Sequence, residues 1–396
     1  MEVEDIGSGD GRPPGAIRKV AVSIYRYFPH GGLQKDMMNT VQALLRRNIE
    51  VTIFCMSWES DVFPENVTVR RLRLHGATSY ARAHKFDLAL ARVLRKRRFD
   101  LHLSFNKVSG ADCYFVDDFP FVRGKVSPWQ RLFSPRYRIF SRMERQVFNS
   151  GSDALIFCLS QAQKNSYQTI YSTAEPRFRI LPPGLDEKFR NVSIHRNELR
   201  KKMREQLNLE DDEQALFLIG SAFYTKGADR AIAALAAWQQ NRKSRAKLFI
   251  VGRNEHKKLQ LFARRCGVED KLFFLDARND IPELLCAADL LLHPARSEAA
   301  GIVMLEALCC GTPVICTGNC GYASYVEDAG SVVLPHPFRQ KHLNRTLKLI
   351  LSMPGRIDEL QQEASAYTQA AGSEFFRRSE VVADTIMEKL NQCVLY

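Results

Sequence analysis

Two glutamates, Glu298 and Glu306, lie on either side of the start of a predicted helix. Ala300, Gly301 and Ile302 would offer free backbone N–H groups and the positive end of the helix dipole there. Gly301 lets a phosphate approach the backbone closely. The two carboxylates could accept hydrogen bonds from a sugar and from a ribose diol. This pattern predicts a nucleotide-sugar pocket, with a solvated glutamate face on an ordinary helix as the alternative.

Two further elements could bind phosphate. Lys226 lies between a strand that ends at Gly220 and the next helix, although the spacing is not that of a Walker loop. Gly31 and Gly32 follow the first predicted strand, where they clear room for a phosphate or sugar or simply form a tight turn. The three-glycine dinucleotide motif is missing, which disfavours an NAD-dependent dehydrogenase.

A pair of acidic residues, Asp117 and Asp118, follows the segment that begins at Phe105, again at a strand end. Either carboxylate could meet an acceptor hydroxyl or act on the transferred sugar. Helix capping or plain turn chemistry is an equally good interpretation from the sequence alone.

These residues are positioned by alternating short strands and helices, which predict parallel βαβ units. The pattern restarts after Leu181–Gly184, so we expect two doubly wound domains with ligands at the carboxyl ends of their strands. The predicted segments are a tail (1–17), an N-terminal acceptor-side domain (18–185), a C-terminal nucleotide-sugar domain (186–370) and a closing helix (371–396).

The composition is that of a globular protein, with 45% hydrophobic and 26% charged residues among 396. The sequence contains no run of 18 apolar residues, so no transmembrane helix is predicted. Met1–Gly15 lacks the apolar core of a signal peptide. The ten cysteines have no paired spacing, which favours a reducing compartment. Those between Cys309 and Cys320 are expected in the core, not at a zinc site. We therefore expect a cytoplasmic protein.

The net charge of +13 lies almost entirely in the first half of the chain. Residues 1–185 contain 28 basic and 17 acidic residues, a balance of +11. Arg92–Arg98 and Arg131–Arg145 concentrate the excess, and the second stretch predicts a helix with an apolar and a basic stripe. An anionic membrane surface suits that pattern. Nucleic acid, or packing against the helix's own domain, is the alternative.

Taken together, these segments resemble glycosyltransferase family 4, through the Glu-x7-Glu motif at Glu298 and Glu306. Within that family the chain is most similar to lipopolysaccharide core glucosyltransferases. The additional segments that carry the resemblance are Tyr25–Asp36, Ser57–Asp61, Phe105–Asp118, Arg177–Gly184, Gly220–Arg230, Arg278–Asp280 and Ala287–Tyr322. The resemblance implies a GT-B fold, in which two Rossmann-like domains face each other across a cleft. It also implies retention of anomeric configuration, a UDP-sugar donor and no metal ion.

The resemblance also implies roles for individual residues. The expected catalytic residues are Asp118, Lys226 and Glu298. The expected donor-binding residues are Gly31, Gly32, Lys226, Arg278, Asn279, Ala300, Gly301, Ile302 and Glu306. The expected acceptor-side residues are Asp36, Asn106 and Lys107.

The resulting prediction is transfer of a hexose, most simply glucose from UDP-glucose, to a lipopolysaccharide inner-core heptose. The expected partners are that glycolipid and the anionic cytoplasmic face of the inner membrane, to which the protein would bind peripherally, and not nucleic acid. A nucleotide-sugar epimerase and a non-catalytic binding protein on the same fold remain as alternatives. Thr225 before Lys226 and His30 beside Gly31 depart from the family pattern. They bear on the identity of the donor sugar and nucleotide, and under the second alternative they would be signs of lost catalysis.

Overall fold

A computed structural model describes residues 17–29, 31–60, 65–96, 98–123, 127–240 and 245–392. His30 and nearly all of the predicted tail, residues 1–16, lie outside these ranges. The chain divides into two compact units, one comprising residues 1–182 with 377–396 and the other residues 183–376.

The first unit contains a sheet of seven parallel strands in the order β5-β3-β1-β6-β7-β8-β9. The apolar central strands are buried, as expected for a parallel sheet covered on both faces. Strands β2 and β4 form a separate parallel pair. The strands are β1 (Lys19–Ser23), β2 (Arg26–Tyr27), β3 (Glu50–Cys55), β4 (Ser57–Trp58), β5 (Val67–Arg71), β6 (Leu101–Ser104), β7 (Cys113–Phe115), β8 (Leu155–Cys158) and β9 (Phe178–Ile180). The helices are α1 (Gly32–Leu45), α2 (Ser79–Lys96), α3 (Pro128–Phe133), α4 (Pro135–Phe148) and α5 (Gln161–Tyr171).

The single basic helix predicted over residues 131–145 is wrong, because the chain divides there into α3 and α4. Pro135 has no N–H, and its ring would clash with a preceding helical turn, so it begins a new helix. Ser134 caps α4 by accepting a hydrogen bond from the Tyr137 N–H at 3.3 Å. Tyr137 and Phe140 contact the ring of Phe121, so the apolar side of α4 packs within its own unit.

The second unit contains a sheet of six parallel strands in the order β12-β11-β10-β13-β14-β15. The strands are β10 (Gln214–Ile219), β11 (Ala246–Val251), β12 (Leu272–Leu275), β13 (Leu290–His293), β14 (Val314–Thr317) and β15 (Val332–Leu334). The helices are α6 (Arg196–Gln206), α7 (Phe223–Lys226), α8 (Ala228–Gln239), α9 (Lys257–Arg265), α10 (Ile281–Ala287), α11 (Ile302–Cys309), α12 (Ala323–Asp328), α13 (Gln340–Ser352) and α14 (Arg356–Ala371). The final helix, α15 (Arg378–Gln392), belongs to the first unit.

Both sheets are parallel, and helices connect most of their successive strands, which confirms the predicted α/β class. In each unit, the loops at the carboxyl ends of the strands gather at one edge of the sheet, where α/β folds bind ligands. None of the helices in the described ranges is both long enough and apolar enough to cross a membrane.

Candidate active site

Lys226 lies at the end of α7, just beyond the carboxyl end of β10. Gly227, with φ +83°, ends that helical turn, and a Cβ there would lie 2.2 Å from the carbonyl oxygen of Pro294. Only glycine fits this close approach between the β10 and β13 loops. The turn directs the Lys226 ammonium to the Glu298 carboxylate, with which it forms an ion pair.

The Glu298 carboxylate is nearly buried, with 11% of its side chain exposed. His293, fully buried at the end of β13, places its Nε2 3.0 Å from the same Glu298 oxygen that Lys226 contacts. Burial alone would raise the pKa of Glu298, but its contacts with His293 and Lys226 outweigh that effect and lower the pKa to about 2. Glu298 is therefore anionic at neutral pH.

Gly301 precedes α11 in the left-handed conformation, with φ +97°. A Cβ there would lie 2.4 Å from Met304 Cε, so a side chain would disrupt the start of the helix. The Met304 N–H donates to the Gly301 carbonyl at 3.0 Å. The N–H groups of Ile302 and Val303, at the start of the helix, have no acceptor in a preceding helical turn and can bind an anion. Ala300 is held by a hydrogen bond from the Tyr322 N–H to its carbonyl. Glu306 lies one turn into α11 and is partly exposed.

Arg296 joins the loop after β13 to the loop after β10. Its guanidinium forms a bidentate ion pair with Asp229, at 2.7 and 2.8 Å, and stacks on the ring of Tyr224 at 3.8 Å. Its backbone N–H donates to the Thr225 carbonyl. These contacts fix the two loops that present Lys226 and Glu298, because a bidentate pair restrains both orientation and distance.

Arg278 and Asn279 follow β12 and are exposed. The Arg278 guanidinium pairs with Asp280, and the Asn279 carbonyl accepts a hydrogen bond from Lys188 at 3.2 Å. They lie in the loop after β12, and among the described residues no hydrogen bond or ion pair joins them to the Lys226–Glu298 pair. Their assignment to the base pocket remains a prediction.

In the first unit, Gly31 and Gly32 begin α1 after the β1 and β2 segment. A Cβ at Gly31 would lie 1.8 Å from the Gln34 amide oxygen, whereas one at Gly32 would meet no described atom within 4 Å. The Gln34 amide also donates to the Arg26 carbonyl at 3.0 Å, which fixes the turn. A ligand can therefore approach the backbone at Gly32.

Asp36 lies in α1, and its carboxylate accepts two hydrogen bonds from Arg378 of α15, at 2.8 and 2.9 Å. Burial raises the pKa of Asp36 more than the Arg378 charge lowers it. Part of the Asp36 carboxylate's hydrogen-bonding capacity is thus used within the unit.

Lys107 and Asp118 form an ion pair at 3.1 Å, and the fully buried Glu144 contacts the same ammonium at 2.9 Å. Burial would lower the pKa of Lys107, but the two carboxylates outweigh it and raise the pKa. Asp118 remains 56% exposed and accepts a hydrogen bond from the Tyr167 hydroxyl at 3.3 Å. The Asn106 side-chain oxygen accepts the Tyr25 N–H at 2.6 Å.

The predicted residues thus form two groups, each at the carboxyl edge of its own sheet. Lys226, Glu298, Gly301 and α11 come together in the second unit, and Asn106, Lys107 and Asp118 follow neighbouring strands β6 and β7 of the first. Sequence reasoning missed His293 and Glu144. A histidine that ends an apolar strand five residues before Glu298 was the available signal for His293.

Two units, each with a parallel sheet and α/β topology, form the architecture of the GT-B class of glycosyltransferases. A family model described as Glycosyltransferase Family 4 matches residues 30–189, and one described as Glycosyl transferases group 1 matches residues 200–371. Lipopolysaccharide glucosyltransferase WaaG of Escherichia coli strain K12 is 35% identical over 338 residues, which cover 84% of this chain and 89% of that protein.

The crystal structure of WaaG, described as a glycosyltransferase involved in lipopolysaccharide biosynthesis, matches with a TM-score of 0.86 at 34% identity. The match covers 93% of this chain and 99% of that one. A structure of Anabaena HepE in complex with UDP-glucose shares the fold alone, at 18% identity and a TM-score of 0.69, over 94% and 99% of the two chains. The present chain has the GT-B fold. It belongs to glycosyltransferase family 4, which confirms both predictions.

Proposed function

We propose that this glycosyltransferase transfers glucose from UDP-glucose to an inner-core heptose of lipopolysaccharide with retention of configuration. The observation that carries the proposal is the Lys226–Glu298 ion pair beside the N-terminus of α11. A cation and free N–H groups suit a diphosphate, and the adjacent carboxylate suits sugar hydroxyls. The name of the WaaG relative supports glucose as the sugar and lipopolysaccharide as the acceptor.

In the proposed reaction, the bond between the sugar anomeric carbon and the β-phosphate oxygen breaks first. The acceptor hydroxyl attacks from the same face, and the departing phosphate oxygen takes its proton, so that configuration is retained. Glu298 and the N–H groups near Gly301 orient the sugar and phosphate, while Glu306 binds the ribose. Asp118 would contact the sugar or the incoming hydroxyl.

Negative charge grows on the diphosphate as the bond breaks, and Lys226 and α11 would stabilise it. A partly buried helix N-terminus contributes up to about 2 kcal/mol. A charge-assisted hydrogen bond contributes about 1.5–3 kcal/mol. Because these groups can compensate the diphosphate charge, we propose that the reaction needs no metal ion.

A second part of the proposal is peripheral binding to the anionic cytoplasmic face of the inner membrane. Trp129 and Phe133 of α3 stack on each other at 5.7 Å, and 72% and 66% of their surfaces are exposed. The neighbouring arginines of α3 and α4 are exposed as well: Arg131, Arg136, Arg138, Arg142 and Arg145. Aromatic rings beside exposed arginines favour a headgroup surface more than nucleic acid, since the rings can enter the acyl boundary.

The test is release of UDP, ADP and GDP from a panel of nucleotide-sugars, with and without purified core glycolipid and with and without EDTA. We expect UDP release from UDP-glucose that rises with acceptor and is unchanged by EDTA, and an α-linked product. Release from another donor would retain the reaction class and replace the sugar. An inverted product, or loss of activity with EDTA that Mg²⁺ or Mn²⁺ restores, would contradict retention or metal independence, respectively. Isomerised UDP-sugar without transfer would favour an epimerase.

A further inference from the structure

The first unit contains a cavity of about 360 Å³ at the carboxyl edge of its sheet. Its lining includes residues that follow β1, β3 and β6, and Asn106 is among them. The cavity is therefore at the ligand-binding edge of this unit, and its volume is within the range of small-molecule sites.

Two arginines, Arg26 and Arg82, are among the residues that line this cavity. Neither forms an ion pair or a side-chain hydrogen bond with any described residue. Three carboxylates of the same unit already have partners: Asp36 with Arg378, Asp118 with Lys107, and Asp87 with the N–H and hydroxyl of Ser109, both at 2.7 Å. The two arginines therefore give the cavity a positive charge that no described carboxylate neutralises.

The rest of the lining combines aromatic rings with a hydrogen-bond donor. Tyr25, Phe28 and Phe140 contribute rings, which suit the apolar face of a sugar. The Asn106 oxygen accepts the Tyr25 N–H, and its amide N–H₂ group donates to no described residue, so it can donate to a ligand. A neutral hexose would use the rings and the amide but not the two arginines.

We propose that this cavity binds an acceptor sugar that carries a carboxylate or phosphate group, with Arg26 and Arg82 as the ligands of that group. Guanidinium groups pair bidentately with both kinds of anion and remain charged at all relevant pH values. The inference rests on the proposed function, because it assigns the anionic part of the acceptor of that reaction to a defined subsite.

The experiment compares the wild type with Arg26→Gln, Arg82→Gln and the double variant, and uses Arg73→Gln as an exposed control from the same unit. The acceptors are lipid-free inner-core oligosaccharide, the same oligosaccharide after phosphatase treatment, and the same after chemical reduction of its carboxyl groups. The acceptor KM, the donor KM and kcat are measured, together with calorimetric binding of each oligosaccharide and a thermal melt of each variant.

We expect the double variant to raise the acceptor KM about ten- to hundredfold while the donor KM stays within about twofold. For the wild type, one of the two modified acceptors should have a KM raised by the same factor, and the group removed from that acceptor is the anionic group recognised. The KM of the double variant for that modified acceptor should be little higher than its KM for the intact acceptor. Equal KM values of wild type and double variant for the intact acceptor would overturn the inference. So would a double variant whose KM is raised over that of the wild type by the same factor for all three acceptors.

Failure of the proposed function gives a different result. If the wild type glucosylates none of the oligosaccharides, the proposed reaction is wrong, but calorimetry still decides the subsite. The cavity is supported as an anionic-sugar site if the wild type binds the intact oligosaccharide more tightly than a modified one. This preference should be lost in the double variant and kept in Arg73→Gln. Equal binding of all three contradicts it.

Discussion

Lys226 and Glu298 are 72 residues apart in the sequence, and their side chains form an ion pair at the carboxyl edge of the second sheet. The pair leaves 22% of the Lys226 side chain accessible, and its ammonium has three protons. An incoming diphosphate can therefore share the lysine with Glu298.

We predict that Lys226→Ala keeps the fold but lowers turnover about tenfold to a hundredfold, the equivalent of one charge-assisted hydrogen bond. Measuring kcat with UDP-glucose checks this. Lys258→Ala, which removes an exposed lysine of the same unit, is the matched control. Turnover of Lys226→Ala equal to that of the control would remove Lys226 from the site.

A second prediction concerns stability against pH. The pKa of Glu298 in the folded state is about 2, below the ordinary 4.5. Between these two pH values the unfolded state therefore binds more protons than the folded state. Ionised Glu298 stabilises the fold above pH 4.5, by at most about 3 kcal/mol, and this contribution disappears as the pH falls toward 2. His293→Ala should raise the pKa of Glu298 and reduce the effect.

Urea unfolding between pH 6 and 3.5 measures this contribution of ionised Glu298 to stability. The difference in urea midpoint between wild type and Glu298→Gln should narrow as the pH falls below about 4.5. Glu327→Gln, at an exposed position in α12, should show no such narrowing. A constant difference for Glu298→Gln would mean that its carboxylate is not stabilised by His293 and Lys226.

A third prediction assigns the ribose to Glu306. Glu306→Ala should weaken UDP binding about tenfold to a hundredfold, because a carboxylate that accepts from both ribose hydroxyls is lost. Calorimetry with UDP and with 2′,3′-dideoxy-UDP checks this, with Glu327→Ala as the control. If the variant weakens both nucleotides equally, Glu306 acts on something other than the ribose.

The order of strands and helices was predictable because the apolar runs are short and are separated by clear turns. The candidate site at Glu298 and Glu306 was predictable in part because both residues lie in one strand–loop–helix segment. Its lysine comes from a loop 72 residues earlier, and only the pairing of β10 with β13 brings the two together. Local spacing contains no such information.

The sequence offered only a weak signal for His293. A lone histidine at a strand end is ordinary, and its role follows only from its burial and its 3.0 Å contact with Glu298. In the basic segment around Pro135, by contrast, the sequence pattern predicted too much, namely one continuous helix. Its apolar periodicity continued through a proline, and the proline decided where the helix ends.

A fourth prediction distinguishes two roles for Asp36. Its pairing with the buried Arg378 predicts that Asp36→Ala leaves an uncompensated charge and costs about 3–5 kcal/mol of stability. Asp36→Leu combined with Arg378→Met should recover much of this loss, which urea unfolding of the full chain measures. If Asp36→Ala instead keeps the wild-type unfolding curve and raises the acceptor KM, the acceptor role is favoured.

The last prediction concerns the surface formed by Trp129, Phe133 and the arginines of α4. Each arginine near an anionic bilayer contributes about 1 kcal/mol, so Arg136→Gln, Arg138→Gln and Arg142→Gln together should weaken binding about a hundredfold. Adding Trp129→Ser and Phe133→Ser should weaken membrane binding further. This additional loss should not depend on salt concentration, because the burial of apolar side chains is not screened by ions.

Co-sedimentation with vesicles containing phosphatidylglycerol, at low and at physiological salt, measures both effects. Lys201→Gln with Lys202→Gln, which removes two exposed charges from α6 of the other unit, is the matched control. A variant without the charges of Arg95 and Lys96 at the end of α2 and of Arg98 just after it, called the α2 variant, tests whether this segment contributes to the same surface. Undiminished sedimentation of the α4 variant together with loss in the α2 variant would assign membrane binding to α2, and undiminished sedimentation of both would contradict the basic surface as the binding face.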